Sequence, residues 1–256
     1  MRILLVSDIH ANWPALRSLD CACDICICLG DNVDYGVEPQ PCVDWIRERA
    51  GYSIRGNHDH DSAQNVVIRG EQGFRYLTAI TRPLTRQRLS DDALAYLGRL
   101  PVTEMITLGS MRLFLVHATP VDPLEEYGAA DVEFWRRRLE GIDADFICVG
   151  HTHRPLVLEV GQKTVVNPGS VGLPRDGDPR GSYAIIEDGC VTLHRFEYPI
   201  DEAIKAVEAS PLPEKAKDLL SQVYRSGGKF TKERPKAPRA NATWRGANER
   251  YRPVVK

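Results

Sequence analysis

Five short apolar runs in this chain of 256 residues each end in side chains that can ligate a metal or carry a proton, and that coincidence limits the possible folds more than any other feature. RILLVS runs into Asp8 and His10, DICICLG into Asp31, YSIRG into Asn57 and His58, LFLV into His117, and DFICVG into His151 and His153. Short apolar runs bounded by Gly and polar residues read as buried strands. In open α/β sheets, sites form where the carboxyl ends of strands meet, so groups spread over about 150 positions can converge. Within DxH and HxH, residues two apart on an extended segment project to the same side and can serve one ion cluster.

The intervening stretches NWPALRSL, PQPCVDWIRERA and the region through SDDALAYLGRL are helix-like, and their alternation with strands indicates an α/β chain. TEMITLG and MRLFLVH read as paired strands, followed by a helix near DVEFWRRRLE. LVLEV-GQ-KTVVN and SYAIIE-DG-CVTLHRF read as hairpins, with Asp188-Gly189 as a type I′ turn. A mixed sheet, or two packed sheets, is therefore expected rather than a simple doubly wound one. Two more helices are expected between Pro199 and Tyr224, with Pro213 opening the second. A folded domain is assigned to residues 1–225 and a basic, Pro/Gly-rich tail to residues 226–256.

The tail holds nine Lys and Arg against two Glu, a charge of +7, whereas residues 1–225 hold 24 basic against 33 acidic residues. Phe230, Trp244 and Tyr251 make it a candidate for stacking on nucleic acid. The aromatics are sparse and no nucleic-acid fold motif is present, so a disordered tail, or one docked on the acidic body or on a second subunit of a homo-oligomer, is the expectation. No apolar run approaches the 18 or so residues that span a bilayer, and MRILLVSDIH is too short in apolar residues for a signal peptide. A cytoplasmic protein without a membrane partner is expected. Seven cysteines, an odd count, fit reduced thiols. Cys21, Cys23, Cys26 and Cys28 invite a zinc reading, but Cys26 and Cys28 alternate with Ile25, Ile27 and Leu29, so core packing is favoured.

The ligand chemistry at the strand ends mixes carboxylate, amide oxygen and imidazole without thiolate, which suits manganese, iron, zinc or nickel. Seven ligands exceed the needs of one ion; two ions sharing a bridging carboxylate, about 3.5–4 Å apart, would use them.

SDIH, GDNVDYG, GNHD, VHATP and GHTH, in that order, resemble the motif series of the calcineurin-like metallophosphoesterases, and NPGSVG at 167–172 is similar to a segment of their small bacterial and archaeal members. The likeness spans roughly residues 1–200. It implies a four-layer sandwich of two packed mixed β-sheets flanked by helices. It also implies two divalent metal ions, manganese foremost, with iron, zinc or nickel as alternatives. By position, Asp8, His10 and His153 would hold the first metal and Asn57, His117 and His151 the second, with Asp31 bridging. His58 would face the substrate, stabilising phosphoryl oxygens or protonating the departing oxygen, and Asp34 would hydrogen-bond it. The implied activity is hydrolysis of a phosphodiester or phosphomonoester, in a small phosphoester or nucleotide, by a hydroxide formed from a bridging water.

Two departures qualify the likeness. Tyr35 stands where the phosphoprotein phosphatase branch has an arginine, for which Arg55 could partly substitute, and VHATP lacks the commoner Gly after the histidine. A dinucleoside polyphosphate hydrolase or phosphoprotein phosphatase is the alternative; a non-catalytic scaffold is countered by the occupation of all seven ligand positions. The Gly residues of the GD, GN and GH motifs are expected to let the chain turn sharply beside the cluster. Selectivity is assigned to loops Asp61 to Thr81, Asp122 to Gly128 and Leu173 to Arg180. His60 reads as solvated and His194 as structural.

Overall fold

A computed structural model of the chain describes residues 1–230. Trp244 and Tyr251, the other two candidate stacking rings, and most of the tail lie outside the described residues. Three parallel strands, β1 (Arg2–Val6), β2 (Ile25–Cys28) and β3 (Ala50–Ser53), start the first sheet, with Leu5 opposite Ile27. Between them run α1 (Trp13–Arg17), whose Asn12 cap accepts the Ala15 N–H, and α2 (Pro39–Arg49). Helices α3 (Asn57–Gln64), α4 (Gly73–Arg88) and α5 (Asp91–Arg99) lead to the second sheet.

That sheet opens with the hairpin β4 (Thr103–Leu108) and β5 (Met111–Val116). It continues through α6 (Val132–Arg138) to β6 (Phe146–Cys148) and the hairpin β7 (Leu156–Val160) and β8 (Lys163–Asn167). The chain then returns to the first sheet as β9 (Gly181–Glu187) and β10 (Cys190–Phe196), joined by Asp188 and Gly189, both at positive φ as a type I′ turn requires. Helices α7 (Ile200–Glu208) and α8 (Glu214–Ser226) close the fold. The strand orders are β10-β9-β1-β2-β3 and β4-β5-β6-β8-β7, each mixed parallel and antiparallel. Among the described residues no helix is long and apolar enough to cross a membrane.

The period of two along each strand sorts side chains into layers. Ile3, Leu5, Ile27 and Leu29 point between the sheets and meet Leu113, Leu115, Phe146 and Val166. Leu4, Val6, Cys26 and Cys28 point the other way, under Leu16, Ile46, Ile204 and Leu220 of the helices. Cys26 and Cys28 thus serve as small apolar residues in a strand buried on both faces, and burial pushes the Cys26 thiol up to about 12. On the outer face of the second sheet, Trp135 and Leu139 around α6 cover Val116, Ile147 and Val165. The result is helix, sheet, sheet, helix.

Past α8, Gly227 and Gly228 adopt positive φ, and Phe230 folds back so that its ring meets Phe74 edge-on at 4.7 Å. This ring belongs to the packing of the body, not to a free stacking surface.

The layer between the sheets sets a clear test of what joins them. Leu5 is fully buried there, and Leu5→Ala is expected to lower the unfolding free energy by about 2–5 kcal/mol in a urea titration. Val157→Ala, at an exposed position of β7, is expected to change it by less than about 0.5 kcal/mol. Equal losses would mean that the sheets are held by something other than this layer.

Candidate metal centre

The five strand ends singled out in the sequence do converge. Asp8 and His10 follow β1, Asp31 follows β2, Asn57 opens α3 just beyond β3, His117 follows β5, and His151 and His153 follow β6. Potential ligand atoms of Asp8, His10, Asp31 and His153 lie within 4.8 Å of one another, as do those of Asp31, His117 and His151. Asp31 is common to both groups.

The backbone reaches this arrangement differently from the extended geometry expected for DxH and HxH. Asp8, His10, Asp31, His151 and His153 all have φ between 49° and 64°, the left-handed region, which costs an L-residue about 1–2 kcal/mol. The chain therefore corkscrews past the strand ends, and His151 and His153 fall in different groups, the division that the motif likeness implied. The strain is offset by loop-to-loop hydrogen bonds that prolong the β1–β2 pairing: Asp8 N–H to Gly30 O and His10 N–H to Asp31 O at 3.0 Å, Ala11 N–H to Asn32 O at 2.9 Å.

Each histidine is oriented from behind. His10 Nδ1 donates to the Val33 carbonyl at 2.9 Å, His117 Nδ1 to Leu29 O at 2.7 Å, and His153 Nδ1 to Leu173 O. A carbonyl oxygen only accepts, so each of these rings carries a proton on Nδ1 and turns its Nε2 to the cluster. His151 is reversed, its Nε2 donating to Glu125 O at 3.3 Å. Nε2 of His10 and of His153 stand 3.2 Å apart, and His117 Nε2 stands 3.2 Å from Asp31 Oδ2.

Both Asp8 carboxylate oxygens, Asp31 Oδ2, Asn57 Oδ1 and His117 Nε2 are buried without a hydrogen-bond partner among the described residues. Orphans of this kind are rare, since each carries a desolvation cost of about 1–3 kcal/mol or more. Imidazole nitrogens with carboxylate and amide oxygens, converging and otherwise unsatisfied, fit one or more divalent cations of borderline softness.

The electrostatics are those of a crowded buried site. Burial, reinforced by the Asp31 charge, pushes the Asp8 carboxyl up to about 7, although His117 pulls the other way. Against its own burial, Asp31 is held well below the usual carboxylate range by His117, His58 and His10. Burial drives His10 and His151 down to about 3 and His153 well below its ordinary value. His117 also suffers desolvation, yet the Asp31 carboxylate pushes it up to about 9.

His58 is not in either group. Its backbone N–H donates to Asp31 Oδ1 at 2.9 Å, and its Nδ1 lies 2.8 Å from Asp34 Oδ2. Burial opposes charging of His58, but the Asp31 and Asp34 carboxylates raise its pKa above the ordinary value. Arg82 of α4 grips Asp34 through Nε at 3.0 Å and Nη2 at 2.6 Å, and Asp61 through Nη1 at 2.8 Å.

Reading the sequence passed over three of the residues that shape the site. Arg82, beside a proline inside a helix, carries no sequence signal. Asp59 is fully buried; its carboxylate accepts the N–H groups of Asp31 and Asn32, each at 2.8 Å, and of Gly56 at 3.2 Å. The spacing of Gly56 and Asp59, three apart at a helix start, is the capping-box pattern that could have marked it. Arg175, treated only as part of a loop, places its guanidinium against Tyr35.

Arg55 does not substitute for the arginine missing at Tyr35, because its Nη1 donates to Gly98 O in α5 at 2.9 Å. Nor do all three motif glycines act through their φ. Only Gly30 needs a positive one, 91°; Gly56 and Gly150 are required because a Cβ there would collide with Asp31 Oδ1 and with Ser7 Oγ. His60 is half-buried on α3, and His194 stacks on Tyr183 at 5.0 Å on the edge strand β10. NPGSVG ties the loops together: Asn167 Nδ2 donates to Gly150 O at 2.6 Å and Ser170 Oγ to Asp8 O at 2.7 Å.

A cavity of about 530 Å³ opens over Asp31, Asn57, His58, His151 and His153. Its rim comes from the three segments assigned to selectivity, through Val66, Ile68 and Phe74, then Glu125 and Tyr127, then Arg175. The first of them is not all loop, since Phe74, Arg75 and Thr78 already lie in α4.

Known proteins resemble this chain in sequence and, for one of them, in fold. The uncharacterised protein MJ0912 of Methanocaldococcus jannaschii is 30% identical over 243 residues, covering 83% of this chain and 94% of its own. Phosphodiesterase YfcE of Escherichia coli is 23% identical over 208 residues, 75% of this chain and 91% of its own. The crystal structure of a metallophosphoesterase from Sphaerobacter thermophilus superposes with a TM-score of 0.72 at 33% identity, over 86% of this chain and 98% of that one. The profile of the calcineurin-like phosphoesterase superfamily domain matches residues 1–188, which carry every ligand of the cluster, and the chain belongs to that family.

Proposed function

We propose that the protein is a metal-dependent phosphoesterase with a dinuclear centre, Asp31 joining Asp8, His10 and His153 on one side to Asn57, His117 and His151 on the other. The observation that carries this reading is the place of one buried carboxylate in two ligand groups, with unpartnered oxygens and nitrogens on both sides of it. Bound there, divalent cations would supply an activated water and a grip on phosphoryl oxygens. Manganese heads the candidates, with iron, zinc and nickel behind it.

The remaining work falls to side chains of this chain. His58 is fixed by Asp34 at Nδ1, which leaves Nε2 facing the cavity to stabilise the phosphoryl oxygens or donate a proton to the departing alkoxide. Asp34 is a positioning residue, itself anchored by Arg82 and by Ser62 Oγ at 3.1 Å. The cavity volume suits a small phosphoester or a nucleotide.

Metal content and turnover of an aryl phosphoester, measured on the same samples, test the assignment. Asn57→Ala and His117→Ala are expected to lose both bound metal and rate. His58→Ala is expected to keep its metal while kcat falls about 10²–10⁴-fold. A His117→Ala protein with full metal content and full rate would refute the dinuclear reading. Asp34→Asn is expected to keep the metal and lower kcat about tenfold or more, because the imidazole loses its orienting carboxylate. An unchanged kcat there would remove Asp34 from the mechanism.

A further inference from the structure

Two arginines line the cavity, an exposed Arg75 and a half-buried Arg175, and the second has its Nε fully buried. Arg82 is consumed by Asp34 and Asp61. Arg175, on the loop after NPGSVG, has no carboxylate within ion-pairing distance among the described residues. Its Nη2 donates to the Tyr35 hydroxyl at 3.2 Å, its guanidinium carbon lies 3.8 Å over the centre of the Phe74 ring, and its Nε is buried without a partner. Aromatic faces hold a guanidinium in place without cancelling its charge, and most of its five donors stay free.

The loop beneath it is braced from both sides. Arg175 N–H donates to the carbonyl of His153, a member of the cluster, at 3.3 Å, and Arg154 Nε donates to the Arg175 carbonyl at 3.2 Å. From the other side, Gly177 N–H donates to Gly227 O at 2.9 Å, and Gly228 lies so close that a Cβ there would fall 2.6 Å from the Pro174 carbonyl. Phe230 buttresses Phe74. Arg175 thus lines the same cavity as Asp31, His58 and His153, and its charge adds to the burial that depresses His10, His151 and His153.

Resting on the phosphoesterase reading, we infer that Arg175 is a substrate-binding residue that takes a third terminal phosphoryl oxygen, so that the site favours phosphomonoesters over phosphodiesters. A monoester has three terminal oxygens sharing its charge. With two of them turned to the ligand cluster, the third faces the guanidinium and forms a charge-assisted hydrogen bond. A diester has only two terminal oxygens, and it offers the guanidinium an uncharged ester oxygen, a weak acceptor. The residue fills the role left open where Tyr35 replaces an arginine, from a different part of the chain.

The test uses full-length, metal-loaded protein as wild type, Arg175→Ala, Arg175→Gln, Arg175→Lys and Arg137→Ala, the last removing an exposed positive charge on α6 that does not line the cavity. Calorimetry with inorganic phosphate, and kcat/KM for p-nitrophenyl phosphate and bis(p-nitrophenyl) phosphate, are the readouts. Arg175→Ala is expected to weaken phosphate binding about 10- to 100-fold and to lower the monoester kcat/KM by a similar factor, with the diester falling less than about threefold. Arg175→Lys should recover only part, having no forked donor set. Arg137→Ala should match the wild type. Arg175→Gln carries the comparison if the alanine variant melts early. Unchanged phosphate affinity, or equal losses on the two esters, would overturn the inference. A wild type that binds phosphate through Arg175 yet hydrolyses neither ester would instead overturn the phosphoesterase reading and leave the anion site standing.

Discussion

The Asp31 carboxylate is the point at which the two sheets, α3 and the site meet. It leaves the first sheet at the end of β2, its Oδ1 accepts the N–H of His58 in the first turn of α3, and its Oδ2 faces His117 Nε2 from the second sheet. A buried carboxylate is costly unless its surroundings favour its charge. Here three histidines supply that preference, and a backbone N–H at a helix start adds to it. The second carboxylate in reach, Asp8, bears the opposite consequence: burial raises it, and the like charge of Asp31 adds to the rise. Asp8 and Asp31 could together hold a divalent cation, whose charge would relieve that conflict, and so the cluster reads as a binding site and not as a structural ion-pair network.

Holding Asp31 in place requires a turn that ordinary residues resist. Asp59 clamps it by taking the N–H groups of Asp31, Asn32 and Gly56 on one carboxylate, so the turn after β2 and the start of α3 move as one body. Among the described residues, eight of the ten non-glycine residues with positive φ lie in the loops around the cluster, from Asp8 to Tyr35 and at His151 and His153. Strain concentrated there is tolerable because each loop is bonded to the next, Ser170 to Asp8 and Asn167 to Gly150 included.

Much of the fold and the whole set of converging side chains were legible in the sequence for one reason: strands alternate, stop, and leave their ends marked by polar residues. Asp8, Asp31, His117 and His153 each follow an apolar run directly, so their positions follow from topology alone. The internal geometry was not legible. Periodicity describes extended backbone and cannot announce a left-handed residue, so the turn that sends His151 and His153 to different groups was hidden, although the motif likeness had already assigned them to different metals. Arg82 and Arg175 were hidden for another reason: each reaches the site from a helix or loop distant in sequence, by a side chain whose direction depends on packing. Arg55, adjacent to a motif, looked the better candidate and points away.

The same distinction separates chemistry from recognition. Everything that converges on Asp31 is set by strand ends and by backbone bonds between loops, so it is shared by any chain with this sheet order and these motifs. The cavity wall opposite is built from the start of α4, the segment around Tyr127 and the loop carrying Arg175, none of which belongs to a strand. That wall is in turn braced by the last described residues, Gly227 through Phe230, which press on the Arg175 loop and on Phe74. A change at the end of α8 can therefore shift the Arg175 loop and Phe74 without touching a single candidate ligand of the cluster. The rim of the cavity is thus formed by segments that belong to neither sheet.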